Sequence, residues 1–151
     1  MQQFGVDYDQ TYAGVVRASS VRTIFALVAL FNHDIIQLDF VTAYLNSNLN
    51  EEIYVKQAPG YIQKGKEHLI YRVKKGLYGL KQSAREWAKR LTSFLIKIGF
   101  RPLTADNNVF VKGTIRTGLT ITVYVDDVKL IGKLKSVKAV TGFPPPASVM
   151  P

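Results

Sequence analysis

A chain of 151 residues, 47% of them apolar, is about one domain's worth of polypeptide with enough apolar side chains for a core. Twenty Lys and Arg against 11 Asp and Glu leave a formal charge of +9, which favours polyanionic partners such as nucleic acid or an acidic membrane surface. With no cysteine and only His33 and His68 as imidazoles, disulfides and thiolate metal sites are excluded, zinc is disfavoured, and any metal would be held by oxygen.

The opening residues, "MQQFGVDYDQTY", lack the basic start and apolar stretch of a secretory signal, so the expectation is an intracellular chain that is not exported. The first predicted helix lies in "SSVRTIFALVALFNHD", capped by Ser19 and Ser20 and apolar at Val21, Ile24, Phe25, Val28 and Phe31. Its apolar run, "IFALVALF", is far short of the roughly 20 residues that cross a bilayer, so it is expected as a well-buried core helix with no membrane partner. "DIIQLDF" alternates, with Ile36, Leu38 and Phe40 on one face and Ile35, Gln37 and Asp39 on the other, as a strand does. "EIYVKQ" and "HLIYRVKK" follow as short strands around Pro59, Gly60 and Gly65, and a hairpin is expected.

A second helix is expected from "SAREW", where Ser83 and Glu86 have capping-box spacing and Trp87, Leu91, Phe94, Leu95 and Ile98 make an apolar stripe ending at Gly99. Arg85, Lys89, Arg90 and Lys97 leave its remaining surface basic. "NVFVK", "LTITVYV" and "VKLIG" complete an antiparallel set of strands, and the class is α+β. Residues 133–151 show no sustained period and contain Pro144, Pro145 and Pro146, so they are expected as an irregular, disordered tail beyond a domain of residues 1–132.

Two carboxylates close the apolar run "LTITVYVDDVKL". Alternation places Asp126 on a face with Thr120, Thr122 and Tyr124, while Asp127 is expected in the tight turn that follows, where acidic residues also occur for purely conformational reasons. Asp39 ends another strand on its polar face. Alone it reads as a solvated aspartate, but strand ends that each present a carboxylate can converge on a hard divalent cation such as Mg²⁺, and a pair of such ions supports in-line phosphoryl displacement.

"QLDFVTAYLNSNLNEEIYVKQAPGY", "LIYRVKKGLYGLKQSAREW" and "ITVYVDDVKLIG" resemble, in order and approximate spacing, the successive blocks of copia-type retrotransposon reverse transcriptases, over roughly residues 5–132. The resemblance implies the palm of a right-hand polymerase with part of the fingers, an antiparallel sheet packed against helices, and RNA-directed DNA polymerase (nucleotidyltransferase) activity. It makes Asp39, Asp126 and Asp127 the catalytic and metal-ligating carboxylates, holding two Mg²⁺ ions, with Mn²⁺ as an alternative. Tyr44 matches the aromatic position beneath the incoming sugar and Gln82 a nucleotide or template contact; an ordinary core aromatic is the competing reading of Tyr44. "KKGLYGLKQ" matches the segment under the templating pair, with Lys74, Lys75 and Lys81, followed by Arg85, as nucleic-acid contacts; a solvated basic loop is the alternative. The implied partners are an RNA template, a DNA primer, deoxynucleoside triphosphates and other segments of a retrotransposon polyprotein.

The sequence departs from the family pattern at Gly14, Ser47, Ala84 and Lys129, the last in a normally apolar stretch directly after the catalytic box. The family's first fingers block, its primer-gripping strands and thumb, and RNase H are not expected within these residues, so little or no processive activity is expected of the chain alone. A non-catalytic nucleic-acid-binding remnant and a degenerate product of a broken element are the competing readings.

Overall fold

The computed structural model describes residues 13–141. Pro144, Pro145 and Pro146, and with them the later part of the expected tail, lie outside the described residues. The chain forms two compact units: one is built from Thr42–Arg90, the other from Gly14–Val41 together with the residues from Leu91 onward. The fold is α+β with antiparallel sheets, and no helix among the described residues is long and apolar enough to cross a membrane.

The larger unit is organised by a five-stranded antiparallel sheet. Its strands are β1 (Asp34–Asp39), β4 (Arg101–Leu103), β5 (Asp106–Lys112), β6 (Leu119–Tyr124) and β7 (Asp127–Gly132), arranged in the order β1-β7-β6-β5-β4. Directly paired residues in an antiparallel ladder share a face. One face therefore carries Ile35, Ile131 and Thr120 in one row, and Gln37, Lys129, Thr122 and Val109 in the next. The opposite face carries Ile36, Leu130, Ile121 and Phe110; of these, Leu130, Ile121 and Phe110 are nearly fully buried.

Helix α1 (Ala18–Phe31) packs on the first of these faces through one stripe, with Ile24 buried among Val16, Val109 and Ile131, and Val21 and Val28 beside it. The spacing 21, 24, 28 is one helical face. The expected deep burial of this helix is corrected: Phe25 and Leu30 are 43% and 71% exposed, because a single sheet face covers only one side of a helix. Its expected serine cap is corrected as well. The N-cap residue is Arg17, which has no side-chain cap bond, and its own amide is satisfied by a carboxylate from β5. Asp106 Oδ2 accepts from the Arg17 amide at 2.9 Å and from the Ser20 hydroxyl at 2.7 Å, while its Oδ1 accepts from the Asn108 amide at 3.0 Å. Asn32 ends α1 in the left-handed region at φ 50°, its amide donating to Val28 O.

The segment expected as an irregular tail begins with a helix, α3 (Leu134–Thr141), which packs beside β7 and buries Val137. Asp34 Oδ2 accepts from the Leu134 amide at 2.9 Å, and Lys133 Nζ donates to the carbonyls of Phe31 and Asn32 at 2.8 and 2.7 Å. The Asp34 carboxylate supplies the N-terminal cap that the local sequence of α3 lacks, while Lys133 closes the end of α1.

The smaller unit contains the expected hairpin, β2 (Asn48–Lys56) paired antiparallel with β3 (Ile70–Lys75), and a short 3₁₀ turn at Ala43–Asn46. Gly76 lies where these meet: its amide donates to Ser47 O at 3.1 Å, and a Cβ there would collide with Ser47 Oγ and stand 2.6 Å from Tyr44 O. Helix α2 (Ser83–Lys97) starts in this unit and ends in the other. The expected capping box is not what holds its start. The Ser83 hydroxyl accepts from the Leu77 amide at 3.0 Å, the Glu86 amide donates to Gln82 O, and the Glu86 carboxylate pairs with Lys89 and Asn50. Trp87, Leu91 and Leu95 form its buried stripe, whereas Phe94, expected there too, is 54% exposed. The helix ends as expected at Gly99 (φ 91°), with Phe100 N bonded to Leu95 O and Gly99 N to Ile96 O in a Schellman arrangement.

Burial pushes the Asp106 carboxyl up, but the hydrogen bonds from Ser20, Arg17 and Asn108 and the Arg17 charge outweigh it and hold the pKa below the ordinary carboxylate value. A depressed folded-state pKa means that the stabilisation is complete above the unfolded value of about 3.9 and is lost as pH falls through the folded one. Asp106→Ala is expected to cost about 1–3 kcal/mol at pH 7, with a smaller deficit at pH 3, measured by urea unfolding. Gly76→Ala is expected to cost a similar ~1–3 kcal/mol, because two of the atoms its Cβ meets belong to buried Ser47 and to backbone; thermal melts of the variant check this.

Candidate active site

The register of β1 on β7 assembles the carboxylates. Asp39, the last residue of β1, is directly opposite Asp127, the first of β7, and beyond them the Phe40 amide donates to Asp126 O at 3.2 Å. Tyr124 closes β6 opposite Asp127, so Asp39, Asp127 and Tyr124 form one row across three strands on a single face. Val125 and Asp126 are the two-residue turn between β6 and β7.

The expected roles of the two box aspartates are thereby exchanged. Asp126 is the turn residue, and Asp127 is the one that shares a strand face with Tyr124 and, across the sheet, with Asp39. A turn centred one residue earlier than expected produces this, since strand side chains alternate with period two. Val125 takes φ 59°, a left-handed conformation costly for a β-branched residue and usual for glycine at the first position of a type II′ hairpin turn.

Asp39 is exposed, and Asp126 and Asp127 are half-buried. Asp127 Oδ2 is ion-paired with the Lys129 ammonium two residues along the same strand face, while its Oδ1 is buried and has no hydrogen-bond partner. An anionic oxygen in that condition is costly, and a hard cation would satisfy it. The donor set, carboxylate oxygens alone, suits Mg²⁺ or Mn²⁺. As the side chains stand, no three His, Cys, Asp or Glu among the described residues are gathered closely enough to hold a metal. The chemistry of the residues, carboxylate oxygens with one buried and unpaired, fits a divalent ion.

The remaining expected site residues lie in the smaller unit. Tyr44, in the 3₁₀ turn, is half-buried and stacks obliquely on Tyr78, the ring centroids 4.5 Å apart at 48°. Gln82 is 1% exposed and donates to Glu51 Oε2 at 2.9 Å, so its carboxamide is packed inside the unit. Lys74, Lys75 and Lys81 are exposed, Lys75 donating to Asn48 Oδ1 at 2.8 Å, and Arg85 is half-buried on the first turn of α2.

Two partners were overlooked in the sequence, Lys129 for Asp127 and Glu51 for Gln82. The first was within reach of strand alternation, which puts residues 127 and 129 on one face. No local pattern announces the second.

The chain matches, over residues 1–143, the family described as reverse transcriptase (RNA-dependent DNA polymerase). It is 37% identical over 139 residues, 91% of the chain, to the retrovirus-related Pol polyprotein from transposon TNT 1-94 of Nicotiana tabacum, and covers 10% of that polyprotein. It is 34% identical over 131 residues to the retrovirus-related Pol polyprotein from transposon RE2 of Arabidopsis thaliana, with 87% of the chain and 9% of the relative covered. It is 32% identical over 134 residues to the transposon Ty1-BL Gag-Pol polyprotein of Saccharomyces cerevisiae, with 85% of the chain and 7% of the relative covered. The chain thus spans a tenth or less of the length of these relatives. No solved structure matches it. On the family match and these identities, the chain belongs to the copia-type reverse transcriptase (RNA-dependent DNA polymerase) family.

Proposed function

We propose that this chain carries the carboxylate centre of an RNA-directed DNA polymerase, acting by nucleotidyl transfer at Asp39, Asp126 and Asp127. The observation that carries the reading is the register of Asp39 opposite Asp127, with Asp126 in the adjoining turn. On this reading the five-stranded sheet is the polymerase palm, and the unit containing the β2–β3 hairpin is part of the fingers. Other segments of a Pol polyprotein would supply the rest of the enzyme.

The reaction forms a bond between the primer 3′-oxygen and the α-phosphorus of a deoxynucleoside triphosphate, breaks the bond to the β-phosphate oxygen, and releases pyrophosphate and the hydroxyl proton. Mg²⁺, when bound by the three carboxylates, supplies activation of the hydroxyl and neutralisation of the leaving phosphates. The protein's own part is positioning. Asp39 and Asp127 come from adjacent strands of one sheet, so their backbone spacing is set by the ladder. Tyr44 offers a ring against which a deoxyribose packs and a ribose 2′-hydroxyl would collide. Lys74, Lys75, Lys81 and Arg85 neutralise template–primer phosphates, and Gln82, buried on Glu51, supports the segment that presents them.

A second reading, a non-catalytic nucleic-acid-binding remnant, is favoured by the ion pair that occupies Asp127 and by the +9 charge. The two readings separate in one experiment. Single-nucleotide extension of a DNA primer on an RNA template with Mg²⁺ at low salt is expected to be weak but detectable, and Asp126→Asn to reduce it by roughly a hundredfold with duplex binding unchanged. Absence of incorporation by either form, with equal binding by both, would favour the remnant. Neutralising Lys74, Lys75 and Lys81 together is expected to weaken binding across sequences and to lower the slope of log K against log salt by about 3, measured by fluorescence anisotropy.

A further inference from the structure

Lys129 changes the electrostatics of the carboxylate row. It stands in β7 between Gln37 of β1 and Thr122 of β6, both neutral, and of the two carboxylates in the next row of its face, Asp39 and Asp127, the ammonium pairs with Asp127. The side chains of Lys129 and Asp127 are 25% and 30% exposed, which distinguishes the pair from a solvated surface contact: each charge would be left poorly hydrated without the other. Only one carboxylate oxygen is used. The ammonium holds Oδ2, and Oδ1 stays buried without a partner. A lysine is a tethered point charge on a flexible stem, able to leave a carboxylate when a stronger cation arrives, and a divalent ion at the same carboxylate would repel it.

We propose that Lys129 is a built-in counter-cation that competes with a divalent metal for Asp127 and so sets the metal concentration at which the site fills. The inference rests on the metal-binding reading of Asp39, Asp126 and Asp127. In the metal-free chain the ammonium stabilises the carboxylate row; when metal binds, Lys129 swings toward solvent or toward a substrate phosphate. The residue is thus a determinant of metal affinity, acting through Asp127.

The test is Mn²⁺ titration of the full chain, by calorimetry and by electron paramagnetic resonance of the free ion, with thermal melts in parallel. Lys129→Met is expected to bind Mn²⁺ roughly tenfold more tightly than the natural chain. Lys129→Arg, which keeps the charge, is expected to stay near the natural affinity, and Asp127→Asn to weaken binding and to erase the gain when combined with Lys129→Met. Metal-free Lys129→Met should melt lower than the natural chain, and saturating Mn²⁺ should close the gap. Lys129→Gln serves in place of Lys129→Met if methionine impairs folding. Equal Mn²⁺ affinity in the natural chain and Lys129→Met, with Asp127→Asn weaker, would overturn the competition while leaving the metal reading intact. Absence of Mn²⁺ binding in every folded variant would overturn both.

Discussion

Antiparallel pairing of β1 with β7 is the constraint on which the site depends. Among the described residues β1 is an edge strand, bonded to β7 alone, so its register is fixed by β7 and by whatever anchors its ends. A slip of one residue would set Asp39 opposite Val128 and turn its carboxylate to the face that carries Leu130 and Phe110. The start of β1 is anchored accordingly. Lys133 holds the carbonyls of Phe31 and Asn32, His33 Nε2 is bonded to Arg116 O at 3.0 Å, and Asp34 caps the Leu134 amide. Its far end is tied by the Phe40 amide to the β6–β7 turn. The beginning of α3 is therefore part of what places Asp39.

The same economy governs α1. Its sequence provides an apolar stripe but no local cap, and Asp106, brought from β5 by the sheet, accepts from both the Arg17 amide and the Ser20 hydroxyl. One buried carboxylate thus joins the helix to the sheet face on which it packs. Asp106 and Asp127 differ in this respect. Both oxygens of Asp106 are satisfied by protein donors, whereas Asp127 keeps one oxygen buried and unpaired beside an ion pair. A satisfied carboxylate holds a fold together; an unsatisfied one has binding capacity left.

Elements whose signal is local were legible in the sequence. The alternation of "DIIQLDF", the hairpin of "EIYVKQ" with "HLIYRVKK", and the stop of α2 at Gly99 all follow from side-chain period and turn chemistry, and the structure has them. What depended on distant partners was not legible. Ser20 serves Asp106 rather than capping its own helix, Ser83 serves Leu77 rather than a capping box, and α3 forms where Asp34 supplies its cap. The carboxylates were identifiable as residues, and the three ordered blocks identified the family. Which of Asp126 and Asp127 shares a face with Asp39 required the hairpin register, because a turn displaced by one residue exchanges their roles.

The β1–β7 ladder brings Asp39, Asp126 and Asp127 to one end of the sheet, and the proposal is that they bind a divalent cation there. The most direct measurement is paramagnetic broadening of backbone amide resonances on titrating the chain with Mn²⁺. Selective loss of the signals of Asp39, Phe40, Asp126 and Asp127 is expected at low Mn²⁺, with those of Arg101 to Leu103, on the opposite sheet edge, persisting. Broadening spread evenly over the acidic residues, or centred away from the end of β1 and the β6–β7 turn, would contradict it.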